Sequence, residues 1–197
     1  MNAPITLIPL IVEHFPIDQY AGALQQVYEK SPGYWRMYNL PGAPTGQALR
    51  NLHDAAAVEG RTMLGIAQRL DRLDVQAGAA LIGVVDFRLH WPSERMAYLG
   101  MIMVAEPLQR QGIGRKAWRL LLQWLRKSTA ITTVRLGVEQ FNPAALQFFQ
   151  HLGFTLTGDA QRTRVGDKFV RTLYMEYEVQ RAQNVMVGSV DTPRSIS

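Results

Sequence analysis

Seven short segments of the chain are rich in apolar and β-branched residues, either as continuous apolar runs or in alternation with polar residues, which predicts strands. The predicted strands cover residues 5–12, 62–70, 79–90, 96–104, 133–138, 154–164 and 169–178. Short polar or turn-forming connections at 71–78 and 91–94 separate three of these strands, which favours an antiparallel meander. The connection at 165–168 predicts a hairpin of the last two strands.

Four other segments repeat their apolar residues every three to four positions, which is typical of amphipathic helices. The predicted helices cover about 18–30, 45–56, 113–127 and 142–152. Asp18 and Thr45 are predicted to cap the first two, and Pro143 occupies the favoured first position of the last. The predicted buried residues of the second helix are Leu49, Leu52 and Ala56. Those of the third are Ile113, Ala117, Leu120, Leu121, Trp124 and Leu125.

The order of elements predicts how the sheet is connected. A strand at 96–104, a helix and a strand at 133–138 should form a right-handed crossover, which makes the two strands parallel neighbours. The other connections favour antiparallel pairs, so we expect a mixed α/β fold of the α+β type with a mostly antiparallel central sheet. Residues 1–180 are expected to form a single domain, and 181–197, with little periodicity, a frayed tail.

The segment between the fourth strand and the third helix has the composition of an anion site. It reads Gln109-Arg110-Gln111-Gly112-Ile113-Gly114-Arg115. Glycines let the main chain approach an anion, and the following helix offers unpaired N–H groups and the positive end of its dipole. Arg110 and Arg115 of this segment add full positive charges, so we predict that it binds a pyrophosphate group.

Composition narrows the classes of protein. The 197 residues include no cysteine and four scattered histidines, so we expect neither disulfides nor a metal site. No apolar run reaches the roughly 18–20 residues of a membrane span, and we expect a cytoplasmic protein without a membrane partner. The formal charge of +5 favours anionic partners, but no run of Lys or Arg points to nucleic acid, which is disfavoured.

Two motifs resemble the signatures of the GNAT superfamily of N-acetyltransferases. The first is Gln109-x-x-Gly112-x-Gly114 between a strand and a helix, and the second runs from Asn142 through Ala145, Phe148 and Phe149 to Gly153-Phe154. The order and spacing of both agree with the family over about residues 60–178. The resemblance implies a sheet of about seven strands, splayed between its parallel pair and flanked by about four helices.

The resemblance also implies an activity, the transfer of an acetyl group from the co-substrate acetyl-CoA to a primary amine. Main-chain amides of 109–114 would hold the pyrophosphate, the strand end would pair with the pantetheine arm, and Asn142 would bind that arm or cap its helix. The acceptor amine is unidentified, and homodimerisation stays open. The predicted cofactor-binding residues are Ile102, Met103, Val104, Gln109, Arg110, Gln111, Gly112, Ile113, Gly114, Arg115, Asn142 and Phe149.

Direct transfer requires a base, because the attacking amine must first lose its proton. Candidates are Asp86, Glu139 and Glu106, of which Asp86 and Glu139 are the predicted catalytic residues. Asp86 interrupts the apolar run 81–87, so it faces either the cleft or solvent. The resemblance implies that a main-chain N–H near Val104 stabilises the oxyanion.

Phe149 stands where the family often has a tyrosine that protonates the departing thiolate. Phenylalanine cannot do this, although a thiol pKa near about 8.5 makes thiolate a tolerable leaving group. Tyr98 and Tyr174 are candidate replacements or core residues. The alternative hypothesis is therefore a catalytically weak or inactive acyl-CoA-binding module.

Overall fold

Seven strands and five α-helices make up the computed structural model, which describes residues 4–68, 80–165 and 168–180. The strands are β1 (Ile5–Pro9), β2 (Arg61–Gln68), β3 (Leu81–Leu89), β4 (Met96–Val104), β5 (Thr133–Glu139), β6 (Thr155–Val165) and β7 (Lys168–Glu178). The helices are α1 (Ala21–Glu29), α2 (Pro32–Met37), α3 (Gln47–Ala56), α4 (Ile113–Ser128) and α5 (Pro143–His151). A 3-10 turn over Glu106–Leu108 precedes α4. The predicted connection at 71–78 and the predicted tail at 181–197 lie outside the described residues.

The strands form one sheet in the order β1-β2-β3-β4-β5-β7-β6. Every neighbouring pair is antiparallel except β4 and β5, which are parallel. The predicted fold class is therefore confirmed, including the parallel pair made by the crossover through α4.

Helices cover both faces of the sheet. On one face, α4 and α5 bury Trp118, Leu121 and Phe149 against the inward residues of β5 and its neighbours. On the other face, α1 and α3 bury residues such as Leu24 and Leu52, together with Trp35 of α2. The sheet is therefore packed between two core layers, and each face presents its own set of side chains.

The buried face of α4 differs from the predicted one. Leu120 and Trp124 are 36% and 41% exposed, whereas Trp118 and Leu122 are buried. The helix is apolar on both sides of the row that contains Leu121, so hydrophobic spacing alone could not show which flank the sheet covers.

The predicted helix starts also differ in detail. Tyr20, not Asp18, is the N-cap of α1, and Asp18 contributes only a main-chain carbonyl, to the Ala21 N–H at 2.9 Å. Gly46, not Thr45, is the N-cap of α3, in a left-handed conformation with φ of 70°. Left-handed backbone favours glycine, so the conformation of the turn decided the cap.

The buried side of α3 is likewise shifted from the predicted one. Leu49 and Ala56 are exposed. The buried residues are Ala48, Leu52 and Ala55. Small alanines allow this helix to approach α1 and β2, which the apolar spacing did not indicate.

Truncation of the two adjacent leucines of α4 should show which side is core. Leu121→Ala is expected to lower the free energy of unfolding by about 2–5 kcal/mol, because the residue is 1% exposed and truncation leaves a cavity. Leu120→Ala, at 36% exposure, should cost about 1 kcal/mol or less. Urea unfolding monitored by circular dichroism measures both, and equal losses would contradict the observed orientation of α4.

Candidate active site

The parallel strands β4 and β5 separate soon after they meet. Their pairing is limited to Met96 with Thr133, Ala97 with Val134 and Tyr98 with Arg135. Beyond this point, Leu99–Val104 and Leu136–Glu139 no longer pair with each other; we call the space between them the β4–β5 gap.

A β-bulge in β4 lies at the start of the gap. Asp86 of β3 pairs with Met101 and Phe87 pairs with Leu99, so Gly100 has no partner residue. A bulge bends its strand and increases the local twist. The bend turns the end of β4 away from β5, which is the separation that the resemblance implied.

The main chain at the end of β4 faces the gap at alternate residues. The Ala105 N–H donates to the Ile82 carbonyl, and the Met103 carbonyl lies against Gly83 of β3. Since successive residues of a strand direct their N–H and C=O groups to opposite edges, those of Ile102 and Val104 point to the gap. This edge can pair with an extended ligand like an added strand.

The turn before α4 exposes the start of that helix. Gly112, the N-cap, has a φ of 77°, and Arg110 has a φ of 61°. No side chain caps α4, so the N–H groups of its first turn remain available to donate to a ligand. A Cβ built on Gly112 would meet nothing within 4 Å, so the space beside this glycine is open. The turn therefore fits a pyrophosphate.

Contacts on both sides fix the position of this turn. The Gln109 Nε2 donates to the Val104 carbonyl at 2.9 Å, which ties the turn to the end of β4. A Cβ on Gly114 would come within 3.1 Å of the Phe148 ring, so α4 and α5 approach closely there. Phe148 was not among the predicted site residues, although it belongs to the second motif.

The predicted cofactor-binding residues differ in their exposure to solvent. The side chains of Arg110, Gln111 and Arg115 are exposed around it. The side chain of Ile113 is buried in the core, so this residue can offer a ligand only its main chain. Phe149 is also buried, packed against Phe148 and Phe154 with ring centroids 5.1 and 5.5 Å away.

Asn142 caps α5. Its Oδ1 accepts from the Ala145 N–H at 3.1 Å, and Pro143 follows as predicted. The cap holds the side chain beside the start of α5, with its Nδ2 still able to donate. The two predicted roles of this residue are therefore compatible.

Asp86 forms a bidentate ion pair with Arg61 of β2. The guanidinium Nε and Nη2 lie 3.1 and 2.6 Å from the two carboxylate oxygens, and Asp86 is 8% exposed. The hydrogen bond to Asp86 raises the pKa of Arg61. Asp86 thus faces the interior, not solvent, and both of its oxygens are engaged.

Glu139, at the end of β5, accepts a hydrogen bond from the Tyr38 Oη at 2.9 Å. Burial and the nearby charge of Glu139 raise the pKa of Tyr38. The rings of Tyr34 and Phe141 pack against Tyr38 at 5.2 and 5.8 Å. The structure therefore places Glu139 beside an aromatic wall. Sequence reasoning missed the partnership with Tyr38, whose only signal was the aromatic-rich composition of 34–38.

Glu106 has a structural role. Its Oε1 accepts from the Gly33 N–H, and its own N–H donates to the Lys30 carbonyl at 2.9 Å. These bonds attach the start of α2 to the segment that leads into the pyrophosphate turn. Glu106 is thus engaged as an anchor between the two sides of the sheet.

Within residues 4–68, 80–165 and 168–180, no group of three or more His, Asp or Glu could hold a metal ion. Among the helices described, none has the length and apolar character to cross a bilayer.

Comparison with known proteins identifies the family. The model of the Acetyltransferase (GNAT) family matches residues 43–154, more than half of the chain. The chain therefore belongs to the GNAT acetyltransferase family, and the predicted resemblance is confirmed. A sequence search of curated proteins finds no match.

Solved structures share this fold at low identity. An acetyltransferase from Thermus thermophilus is 20% identical with a TM-score of 0.69, over 90% of this chain and 99% of that one. Mutant forms of the spermidine/spermine N-acetyltransferase SpeG from Vibrio cholerae are 18% identical with a TM-score of 0.59, over 89% of this chain and 95% of that one.

Removal of the Asp86 charge should primarily affect stability. Asp86→Asn is expected to lower the free energy of unfolding by about 2–3 kcal/mol, because it leaves the Arg61 charge without its partner in a mostly buried position. Asp159→Asn is the matched control, since this carboxylate also pairs with an arginine but its side chain is 63% exposed. The control should lose at most about 1 kcal/mol. Urea denaturation of both variants tests this difference, and equal losses would contradict it.

Proposed function

We propose that the protein is an N-acetyltransferase that moves the acetyl group of acetyl-CoA to a primary amine by direct attack on the thioester. The observation that carries this proposal is the β4–β5 gap, which lies next to the uncapped start of α4. One element fits a pyrophosphate and the other fits an extended arm, in the order in which coenzyme A carries them. The family membership supports the same function.

The proposed binding residues act mainly through their main chain. The amides of Gln109–Gly114 would hold the pyrophosphate, with Arg110 and Arg115 adding charge. Ile102–Val104 would pair with the pantetheine arm, and the Asn142 Nδ2 would donate to it. A main-chain N–H near Val104 would stabilise the charge that develops on the thioester oxygen.

Glu139 is the proposed general base. A lysine-like amine with a pKa near 10.4 must lose a proton at pH 7, which costs about 4–5 kcal/mol at 1.36 kcal/mol per unit. The Glu139 carboxylate has one oxygen oriented by Tyr38 and can take this proton directly or through water. Asp86 is less suited because Arg61 engages both of its oxygens.

Tyr34, Tyr38 and Phe141 form the proposed wall for the acceptor. These rings lie beside Glu139, and aromatic faces next to a carboxylate suit a cationic amine before it loses its proton. The Vibrio cholerae structural neighbour is named for spermidine and spermine. Polyamines are therefore included in the acceptor panel below.

The second candidate function is an acyl-CoA-binding module with weak or no catalysis. The observation that favours it is the Phe149 side chain, which lacks a hydroxyl and is 9% exposed within the core. Binding without turnover distinguishes this candidate from an enzyme.

A pair of substitutions at Gly112 tests the pyrophosphate turn. We expect acetyl-CoA at millimolar concentration to raise the melting temperature of the wild-type protein, and Gly112→Asp to abolish most of this rise by placing a negative charge before α4. Gly112→Asn is the matched control, because asparagine has the same shape and also tolerates a positive φ without the charge. It should retain more of the rise. No rise in the wild-type protein would contradict coenzyme binding.

The base is tested by Glu139→Gln. We expect kcat to fall by about 10²–10⁴-fold, as for loss of a general base, while the acetyl-CoA melting shift is retained. Release of CoA thiol with polyamines, aminoglycosides, amino acids and peptides measures turnover.

The control for this substitution is Glu178→Gln, on the exposed end of β7, which should leave turnover unchanged. Undiminished turnover in Glu139→Gln would assign the base elsewhere. Binding by the wild-type protein without turnover on any amine would favour the non-catalytic module.

A further inference from the structure

The phenol of Tyr98 lies where β4 and β5 part. Tyr98 is the last residue of β4 to pair with β5, opposite Arg135. Its Oη extends two residues further along β5, to Gly137. A Cβ built on Gly137 would lie only 2.9 Å from this oxygen. A side chain at 137 would exclude the phenol, so glycine there gives Tyr98 its position at the inner end of the β4–β5 gap.

The phenol oxygen lies beside the main chain of β5. Burial raises the pKa of Tyr98, and the Gly137 main chain next to the phenol oxygen lowers it by a smaller amount. The oxygen of Tyr98 thus faces β5. Its own hydrogen has no acceptor among the described residues and can be given to a ligand in the gap.

The hydroxyls of neighbouring tyrosines are already engaged. Tyr174 Oη donates to the Gln161 Oε1 at 2.5 Å, and Tyr38 Oη donates to Glu139 at 2.9 Å. Phe149 has no hydroxyl and lies in the core. Among these aromatic residues, Tyr98 alone combines a place at the gap with an uncommitted proton.

We infer that Tyr98 is the proton donor to the sulfur of coenzyme A, an inference that rests on the proposed acetyl transfer. The amine nitrogen bonds to the thioester carbonyl carbon, and the C–S bond breaks with its electron pair on sulfur. The ammonium first loses one proton to Glu139, which releases it to solvent, and the attacking nitrogen loses a second proton to Glu139 as the amide forms. Tyr98 gives its phenolic proton to the sulfur, and the phenolate recovers one from water.

The surroundings keep this phenol protonated at neutral pH. Burial raises the pKa of Tyr98, and Tyr174 on β7 and the negative charge of Glu139 on β5 raise it further. Arg135 on β5 lowers it, and Arg88 is the cross-strand neighbour on β3. Since the effect of burial is the largest, Tyr98 carries the proton that the step requires.

The test uses the complex of the protein with coenzyme A alone, so it needs no amine substrate. The ionisation of the bound thiol is followed by its ultraviolet absorbance against pH in wild-type protein, Tyr98→Phe and Tyr174→Phe. A phenol that donates to the thiolate stabilises it, so Tyr98→Phe should raise the pKa of the bound thiol by about one unit. Tyr174→Phe removes a hydroxyl from the same face and should leave that pKa unchanged.

Gly137→Ala provides a second variant, since its methyl group would lie 2.7 Å from Thr172 Cγ2 and 2.9 Å from the Tyr98 oxygen and would displace the phenol without removing it. It should also raise the pKa of the bound thiol. Equal values in wild-type protein and Tyr98→Phe would overturn the role of Tyr98 and leave the proposed function intact. Failure of the wild-type protein to bind coenzyme A would overturn the proposed function itself, and the inference with it.

Discussion

The separation of β4 from β5 is the constraint on which the site depends. Parallel neighbours inside a sheet normally satisfy each other's main-chain groups, and here they do so for only three residue pairs. The bulge at Gly100 bends β4 away, so the edge that contains Ile102 and Val104 faces a gap within the sheet. Buried main-chain donors and acceptors need partners. An extended ligand in the gap would supply them, and its binding would complete the sheet.

The rest of the molecule holds the two sides of this gap in place. On the α4 side, the Gln109 side chain bonds to the Val104 carbonyl and the Gly114 main chain lies close to Phe148. On the other side, Glu106 attaches the start of α2 to the same segment. The turn before α4 and the aromatic wall of Tyr34, Tyr38 and Phe141 are thus joined through a few residues, so both proposed substrates would meet in a preformed frame. Such preorganisation is what direct transfer between two substrates requires.

The polar groups near the gap have distinct partners. Arg61 engages Asp86, Tyr38 orients Glu139, and Gly137 accommodates Tyr98. As a result, the Asp86 carboxylate is neutralised by its ion pair, the Glu139 carboxylate keeps one oxygen for a substrate, and the Tyr98 phenol keeps a hydrogen to donate. The proposed base Glu139 and the proposed acid Tyr98 would therefore act at one thioester, although Phe149 stands where the family often has a tyrosine.

The sequence by itself determined all seven strands and every helix except α2, the mixed sheet with its parallel pair, and the glycine-containing turn before α4. These features depend on local properties: the period of apolar residues, the conformational freedom of Gly112, and the crossover through α4. Only the tertiary structure decided which flank of α4 is buried and which partners Asp86, Glu139 and Tyr98 have. Those outcomes depend on pairs far apart in the chain, such as Arg61 with Asp86 and Tyr38 with Glu139. Residue spacing describes one segment at a time, whereas the protonation and reach of a side chain are set by the atoms that folding brings next to it.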